Sequence, residues 1–208
     1  GREIWCVPYA DFFTLSLINN KQHYLIEAGT GTGKTFAYAL PALLSQMPII
    51  ISTGTKHLQD QLLEKDIPLL LPLLPRAPKV ALLKGRNNYL CKHRLNLQVA
   101  EGHFQFGAHR EIFQQIIRWN KRTENGDLND IASPSEYTPW WLAITSTSDN
   151  CLGKDCPDIG ECFVYKNRKA ALEADLVIVN HHVLLANLAM QRDAMGELLP
   201  EAAAVIVD

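Results

Sequence analysis

Ala28-Gly29-Thr30-Gly31-Thr32-Gly33-Lys34-Thr35 follows a short β-prone run and opens a helix-prone one. Strand, small-residue loop and helix in that order are the setting of a phosphate-binding loop of the Walker A type. Small side chains let successive backbone N–H groups turn inward around phosphate oxygens, and the helix N-terminus adds partial positive charge. In that role Lys34 reaches the β- and γ-phosphates of ATP, and the Thr35 hydroxyl binds Mg²⁺. Ala28 stands where the simplest pattern has glycine, and needs only the negative φ that a strand exit supplies. The acid that completes such a site should end another apolar strand. Asp208 is placed that way, after Val205-Ile206-Val207, where an aspartate holds Mg²⁺ through its water shell. The competing reading is an ordinary strand-terminal acid.

Thiols form the second group. The five cysteines are Cys6, Cys91, Cys151, Cys156 and Cys162. An odd count argues against a disulfide framework. Four residues separate Cys151 from Cys156, and five separate Cys156 from Cys162. A fourth thiolate must come from Cys91 or Cys6. Cys91 opens the same stretch of chain and is the choice; Cys6 precedes the phosphate-loop strand and reads as a small hydrophobe. Four thiolates suit Zn²⁺ or an iron–sulfur cluster. Zinc sites favour closer ligand pairs, so the wide, irregular spacing leans towards a cluster without deciding it.

A third group points to nucleic acid. Thr53-Gly54-Thr55-Lys56 follows an Ile-rich strand and opens a helix, an arrangement that can hold a backbone phosphate. Simple N-capping by Thr55 is the plainer alternative. Lys84, Arg86, Lys92, His93 and Arg94 bracket Cys91, and Lys166, Arg168 and Lys169 follow Cys162. A metal joining these segments would gather the basic groups, with Tyr89, Phe163 and Tyr165 among them as base-stacking platforms. The alternative is a solvated helix face. Asn180-His181-His182 reads as a cap and hydrogen-bonding cluster rather than a metal site.

These residues need elements to position them. Strands are expected at residues 23–27, 49–53, 79–83, 176–179 and 204–207, and helices at 34–44, 57–65, 108–122 and 183–190, with 68–78 a Pro-rich connector. Strands separated by helices predict an α/β fold with a parallel sheet and right-handed crossovers. Residues 86–170 differ in character, holding three of the four Trp and four of the five Cys. The expected organisation is therefore an α/β domain begun by residues 1–85, interrupted by a mainly helical insert at 86–170, and resumed by 171–208.

Composition excludes several classes. The 208 residues are 47% hydrophobic and 20% charged, which excludes disordered, collagen-like and coiled-coil chains. A net charge of −2 means that a nucleic-acid partner needs a local basic patch. Pro68, Pro72 and Pro75 break the most apolar stretch, far short of the roughly 20 residues of a membrane span. Arg2, Glu3 and Asp11 interrupt the N-terminus, so it does not read as a signal peptide, and a cytoplasmic location is expected. An apolar strand closing on Asp208 leads to the expectation that the chain is a fragment of something longer.

With these motifs assembled, the sequence resembles a known family. Residues 26–35, Ile-Glu-Ala-Gly-Thr-Gly-Thr-Gly-Lys-Thr, look like motif I of the iron–sulfur superfamily 2 helicases related to XPD and DinG. Residues 52–62 resemble their motif Ia, and Lys84-Gly85-Arg86-Asn87-Asn88-Tyr89-Leu90-Cys91 the start of their cluster domain. Val177-Ile178-Val179-Asn180-His181-His182 also fits, as does Asp208 as the first letter of a DEAH box. The bacterial DinG/YoaA branch is the nearest. The resemblance implies a RecA-like P-loop sheet, a [4Fe–4S] cluster on Cys91, Cys151, Cys156 and Cys162, and ATP- and Mg²⁺-dependent 5′-to-3′ unwinding of DNA in replication or repair. It implies single strands and duplex junctions as partners, and roles in DNA contact for Thr53, Gly54, Thr55, Lys56 and Arg86. Residues 2–11 depart from the family, lacking the Gln of the segment that reads adenine. The second motor domain and the rest of the DEAH box lie beyond this sequence. Residues 1–208 alone are therefore expected to bind nucleotide and DNA weakly without unwinding.

Overall fold

Ile49, Ile50 and Ile51, and Leu176, Val177, Ile178 and Val179, are all buried, as strands covered on both faces must be. The computed structural model of the chain describes residues 4–6, 23, 25–27, 33–45, 47–102, 110–131, 138–192 and 198–208. The chain divides into two units, one of Gly1–Leu83 with Ala170–Asp208 and one of Lys84–Lys169.

The first unit is α/β. In chain order its strands are β1 (Ile4–Cys6), β2 (Leu25–Glu27), β3 (Ile49–Thr53), β4 (Val80–Leu83), β5 (Leu176–Asn180) and β6 (Ala204–Val207). The last four form a parallel sheet in the order β4-β5-β3-β6. Ile49 lies opposite Leu176 on one side and Ala204 on the other. Side chains alternate between faces with period two. Ile49, Ile51, Leu176 and Ile178 therefore pack with Ala39, Ala42 and Leu43 of α1 (Lys34–Leu44) and with Leu62, Ile67 and Leu70. Ile50, Val177 and Val179 face the other way, against Ala171, Ala174, Leu198, Leu199 and Val183 and Leu184 of α8 (His181–Arg192). The strand before the phosphate loop, β2, pairs in parallel with β1, apart from the four-stranded sheet, and is exposed.

One expected connector is partly helical. After α2 (Lys56–Gln61) the chain continues in wider turns over Leu62–Asp66, then α3 (Ile67–Leu70) and a 3₁₀ turn at Leu71–Leu73. Pro68 and Pro72 sit in the first positions of those last two turns, where a helix does not need the missing N–H. Reading Pro68 and Pro72 as breakers hid this.

The second unit contains α4 (Lys92–Ala100), α5 (Arg110–Asn120), α6 (Pro139–Ile144) and most of α7 (Phe163–Leu172), with short 3₁₀ turns between them. Its core gathers Tyr89, Leu90, Leu95, Phe113, Ile116, Trp119, Leu128, Trp140, Trp141, Ile144 and Phe163. Trp140 meets Phe113 and Trp141 edge-on, with ring centroids 6.5 and 5.8 Å apart, the arrangement that aromatic quadrupoles favour. The Trp141 indole N–H donates to the Asn87 carbonyl at 2.9 Å. Gly126 adopts φ +68°, and a Cβ there would lie 2.2 Å from Phe163 Cγ. Only glycine satisfies both the left-handed backbone and that ring. Among the described residues no helix is long and apolar enough to cross a membrane.

Candidate nucleotide and metal sites

Because β3, β5 and β6 are parallel and in register, their C-terminal ends lie on one edge of the sheet, with Thr53 opposite Asn180 and Ser52 opposite Val207. Ligands of such sheets bind outside that edge. Ala28, Gly29, Thr30, Gly31 and Thr32 of the phosphate loop lie outside the described residues, as does the stretch 7–22. Gly33 caps α1 with φ 83°, a conformation that other residues adopt only with strain. Lys34 is exposed on the first turn and Thr35 is half-buried.

Tyr38, one turn along α1 from Thr35, was not singled out by the sequence reading. Its phenol donates to Asp208 Oδ2 at 2.9 Å, and the Asp208 amide donates to the Ser52 carbonyl at the same distance. Burial, and then the hydrogen bond and charge of Asp208, push the Tyr38 hydroxyl well above the usual phenol range, while a hydrogen bond with Thr35 pulls the other way. Tyr38 is thus a neutral donor that links Thr35 and Asp208, the two residues expected from the sequence to bind Mg²⁺. The only sequence signal for it was helical spacing, since residues three apart share a face.

The other strand ends are held by local bonds. The Thr55 hydroxyl accepts from the Leu58 amide at 3.2 Å and caps α2, and Thr53 is buried with its hydroxyl donating to the Thr55 carbonyl. Gly54 and Thr55 are exposed, and Lys56 is half-buried. Asn180 caps α8 by accepting from the Val183 amide, and His181 Nδ1 lies 2.8 Å from the Ser52 hydroxyl.

Cys91, Cys151, Cys156 and Cys162 all belong to the second unit, are free thiols, and are half-buried. Cys91 caps α4, its amide donates to the Ile144 carbonyl at 2.8 Å, and its carbonyl accepts from Leu95. The Gly153 amide points at Cys151 Sγ, 3.4 Å away. A turn from Cys156 to Ile159 and the 3₁₀ turn Ile159–Glu161 connect Cys156 to Cys162, through bonds from the Ile159 amide to the Cys156 carbonyl and from the Cys162 amide to the Ile159 carbonyl. Burial raises the Cys91 thiol, and the charges of Cys162, Cys156 and Cys151 raise it further, against the lowering effect of a hydrogen bond with the Arg94 backbone. Negative charge on the neighbouring sulfurs thus disfavours ionisation of Cys91. A cation bound among them removes that penalty, so the donor set suits a thiolate-ligated metal group. Cys6 lies in β1 of the first unit. The ligand atoms of His93, Cys156 and Asp158 also lie within 4.8 Å of one another, a grouping that the sequence did not reveal.

The basic patch read from the sequence is smaller than expected. Lys84 is buried, with its ammonium 2.6 Å from Asp127 Oδ2 and side-chain exposures of 1% and 8%. Tyr89 and Phe163 are core residues, which leaves Tyr165 as the exposed ring. The Lys84 amide donates to the Tyr89 hydroxyl. Arg86 and Arg168 are half-buried. Burial and the neighbouring Arg86 lower the Arg168 guanidinium, and the Cys151 and Cys162 thiols oppose them.

No family model matches the chain. It is similar to the ATP-dependent DNA helicase YoaA of Haemophilus influenzae, 46% identical over 191 residues, covering 92% of this chain and 30% of that protein. The ATP-dependent helicase DinG of Mycobacterium tuberculosis is 36% identical over 209 residues, covering 90% of this chain and 31% of that protein. The 3'-5' exonuclease DinG of Bacillus subtilis is 32% identical over 193 residues, at 91% and 20% coverage. The chain spans about three-tenths of the length of the helicases it matches. By sequence, this chain fits a DinG/YoaA-like helicase segment.

Proposed function

We propose that these residues are the nucleotide-binding and metal-bearing part of an ATP-dependent DNA helicase that moves 5′-to-3′ in the cytoplasm. The observation that carries the proposal is the 46% identity to a protein named ATP-dependent DNA helicase YoaA, over 92% of this chain. In this reading residues 1–85 and 171–208 are part of a RecA-like motor domain, and residues 86–170 are an iron–sulfur subdomain. Ala28, Gly29, Thr30, Gly31, Thr32, Gly33, Lys34 and Thr35 cradle the ATP phosphates, and Lys34 stabilises charge on the transferring phosphoryl group. Thr35 and Asp208 hold Mg²⁺, and Tyr38 keeps the Asp208 carboxylate aimed along the sheet edge. Thr53, Gly54, Thr55, Lys56 and Arg86 contact DNA, chiefly its phosphates.

Cys91, Cys151, Cys156 and Cys162 hold a [4Fe–4S] cluster. When bound, the cluster supplies a compact thiolate-linked crosslink between segments far apart in sequence. The residues' own part is to present four half-buried sulfurs on one helical unit.

Three substitutions test the reading in the full-length protein. Lys34→Ala should lower DNA-stimulated ATP hydrolysis by at least ~10²-fold while leaving salt-sensitive DNA binding intact. Cys156→Ser should remove the broad thiolate-to-iron absorbance near ~400 nm, whereas Cys6→Ser should keep it. Hydrolysis that survives the Lys34 change, or zinc in place of iron in the unaltered protein, would overturn the corresponding half.

A further inference from the structure

Three side chains from the first turns of α4 reach the loop between Cys156 and Cys162. Lys92 donates to Glu161. His93 Nδ1 is 3.2 Å from Asp158 Oδ2, and Asn96 Nδ2 donates to Asp158 Oδ1 at 3.1 Å. Both carboxylate oxygens of Asp158 are therefore engaged by one helix face, since His93 and Asn96 are three residues apart. That helix begins at Cys91, its N-cap. The loop is also folded on itself, with the Glu161 amide bonded to the Asp158 carbonyl between the two turns that join Cys156 to Cys162. Lys92 adds its ammonium over the Phe163 ring, 5.1 Å from the centroid.

We propose that Asp158, with His93 and Asn96, is a clasp that holds Cys156 and Cys162 against Cys91 when no cluster is bound, so that the thiols are already gathered for its assembly. The inference rests on the proposed cluster ligation. Asp158 acts as a positioning residue, two positions from Cys156, and its carboxylate, the His93 ring and the Cys156 sulfur share one neighbourhood within 4.8 Å. Ordering the loop in advance removes part of the conformational entropy that metal binding would otherwise have to overcome. Lys92–Glu161 is the outer element of the clasp, since Glu161 is exposed and such pairs are weak in water.

The test uses the full-length protein loaded with iron and mixed anaerobically with a ferrous chelator, with loss of absorbance near ~400 nm as the readout. Groups that orient metal ligands typically change metal affinity by 10–100-fold when removed. Asp158→Ala should accordingly lose the absorbance about 10-fold faster than the unaltered protein and reload more slowly. Asp158→Asn, which keeps one carbonyl acceptor, should recover part of the difference. Asn96→Ala changes an exposed side chain and should give a smaller acceleration in the same direction. Near-ultraviolet signals from Trp140 and Trp141 report whether the second unit remains folded. If Asp158→Ala unfolds it, the Asn96→Ala and Asp158→Asn kinetics decide. An unaltered protein that binds no iron would refute the cluster reading itself. Iron bound by the unaltered protein and released at the same rate from all folded variants would overturn the clasp alone.

Discussion

The two units position their chemistry by different means. In the first, backbone pairing does most of it. Strands β3, β5 and β6 are parallel and in register, so Thr53, Asn180 and Asp208 reach the same sheet edge almost without side-chain help. In the second, the cysteines sit in a loop, at the ends of two 3₁₀ turns and at one helix cap, and span residues 91–162. Their placement depends on an aromatic core, a buried ion pair and a glycine. A sheet edge tolerates change in any one side chain because its hydrogen-bond ladder sets the geometry. A loop-built site depends on each of its few side-chain anchors.

That contrast predicts unequal sensitivity. The largest effect is expected at the buried pair. Lys84→Met leaves the Asp127 carboxylate uncompensated and should destabilise the second unit by about 3–5 kcal/mol. Adding Asp127→Leu should return much of the loss, because an apolar pair avoids the desolvation of both charges. Hydrogen exchange should show residues 86–169 opening while β3 and β5 stay protected. Equal loosening of both units would erase the contrast.

A smaller effect is expected at Gly126. Alanine there must hold φ +68° and displace the Phe163 ring, at a combined cost of about 3 kcal/mol. Denaturant unfolding followed by tryptophan fluorescence measures it, since Trp119, Trp140 and Trp141 all lie in that core. A stability unchanged within about 0.5 kcal/mol would mean that the ring moves freely and the second unit is less tightly anchored than argued.

The smallest effect belongs to the first unit. The Lys79 amide donates to Asp175 Oδ2 at 2.8 Å, and the Arg76 guanidinium reaches the same carboxylate at 3.3 Å. These contacts, the backbone one foremost, hold the Asp175 carboxyl below the usual range. A carboxylate depressed in the folded state stabilises the fold fully above its unfolded pKa of about 3.9. That contribution fades as the pH falls through the lower folded value. Asp175→Asn should cost about 1 kcal/mol at neutral pH and flatten the stability profile below pH ~4. An unaltered acid limb in the variant would remove Asp175 from the account.

How much could be read in advance follows the same division. The strands at 49–53, 79–83, 176–179 and 204–207 were legible because apolar, β-branched runs bounded by polar residues have few other uses. α4 and α6 were not, one being polar on most sides and the other only Pro139–Ile144, too short for a periodic signal. Lys84, Tyr89 and Phe163 were read as surface residues, facing either a ligand or solvent. Each is amphipathic or aromatic, and nothing in its neighbours in sequence distinguishes a buried anchor from an exposed contact.

By itself, the sequence determined the phosphate-loop motif, the parallel α/β alternation and the identities of the thiols, because local spacing and residue type are enough to specify each of them. Only the tertiary structure decided that Tyr38 meets Asp208 across 170 residues of chain, that Lys84 pairs with Asp127, and that Asp158 fastens its loop to α4. A hydrogen bond or ion pair between residues far apart leaves no periodicity in either segment. Its partners are fixed only once packing has closed the intervening chain.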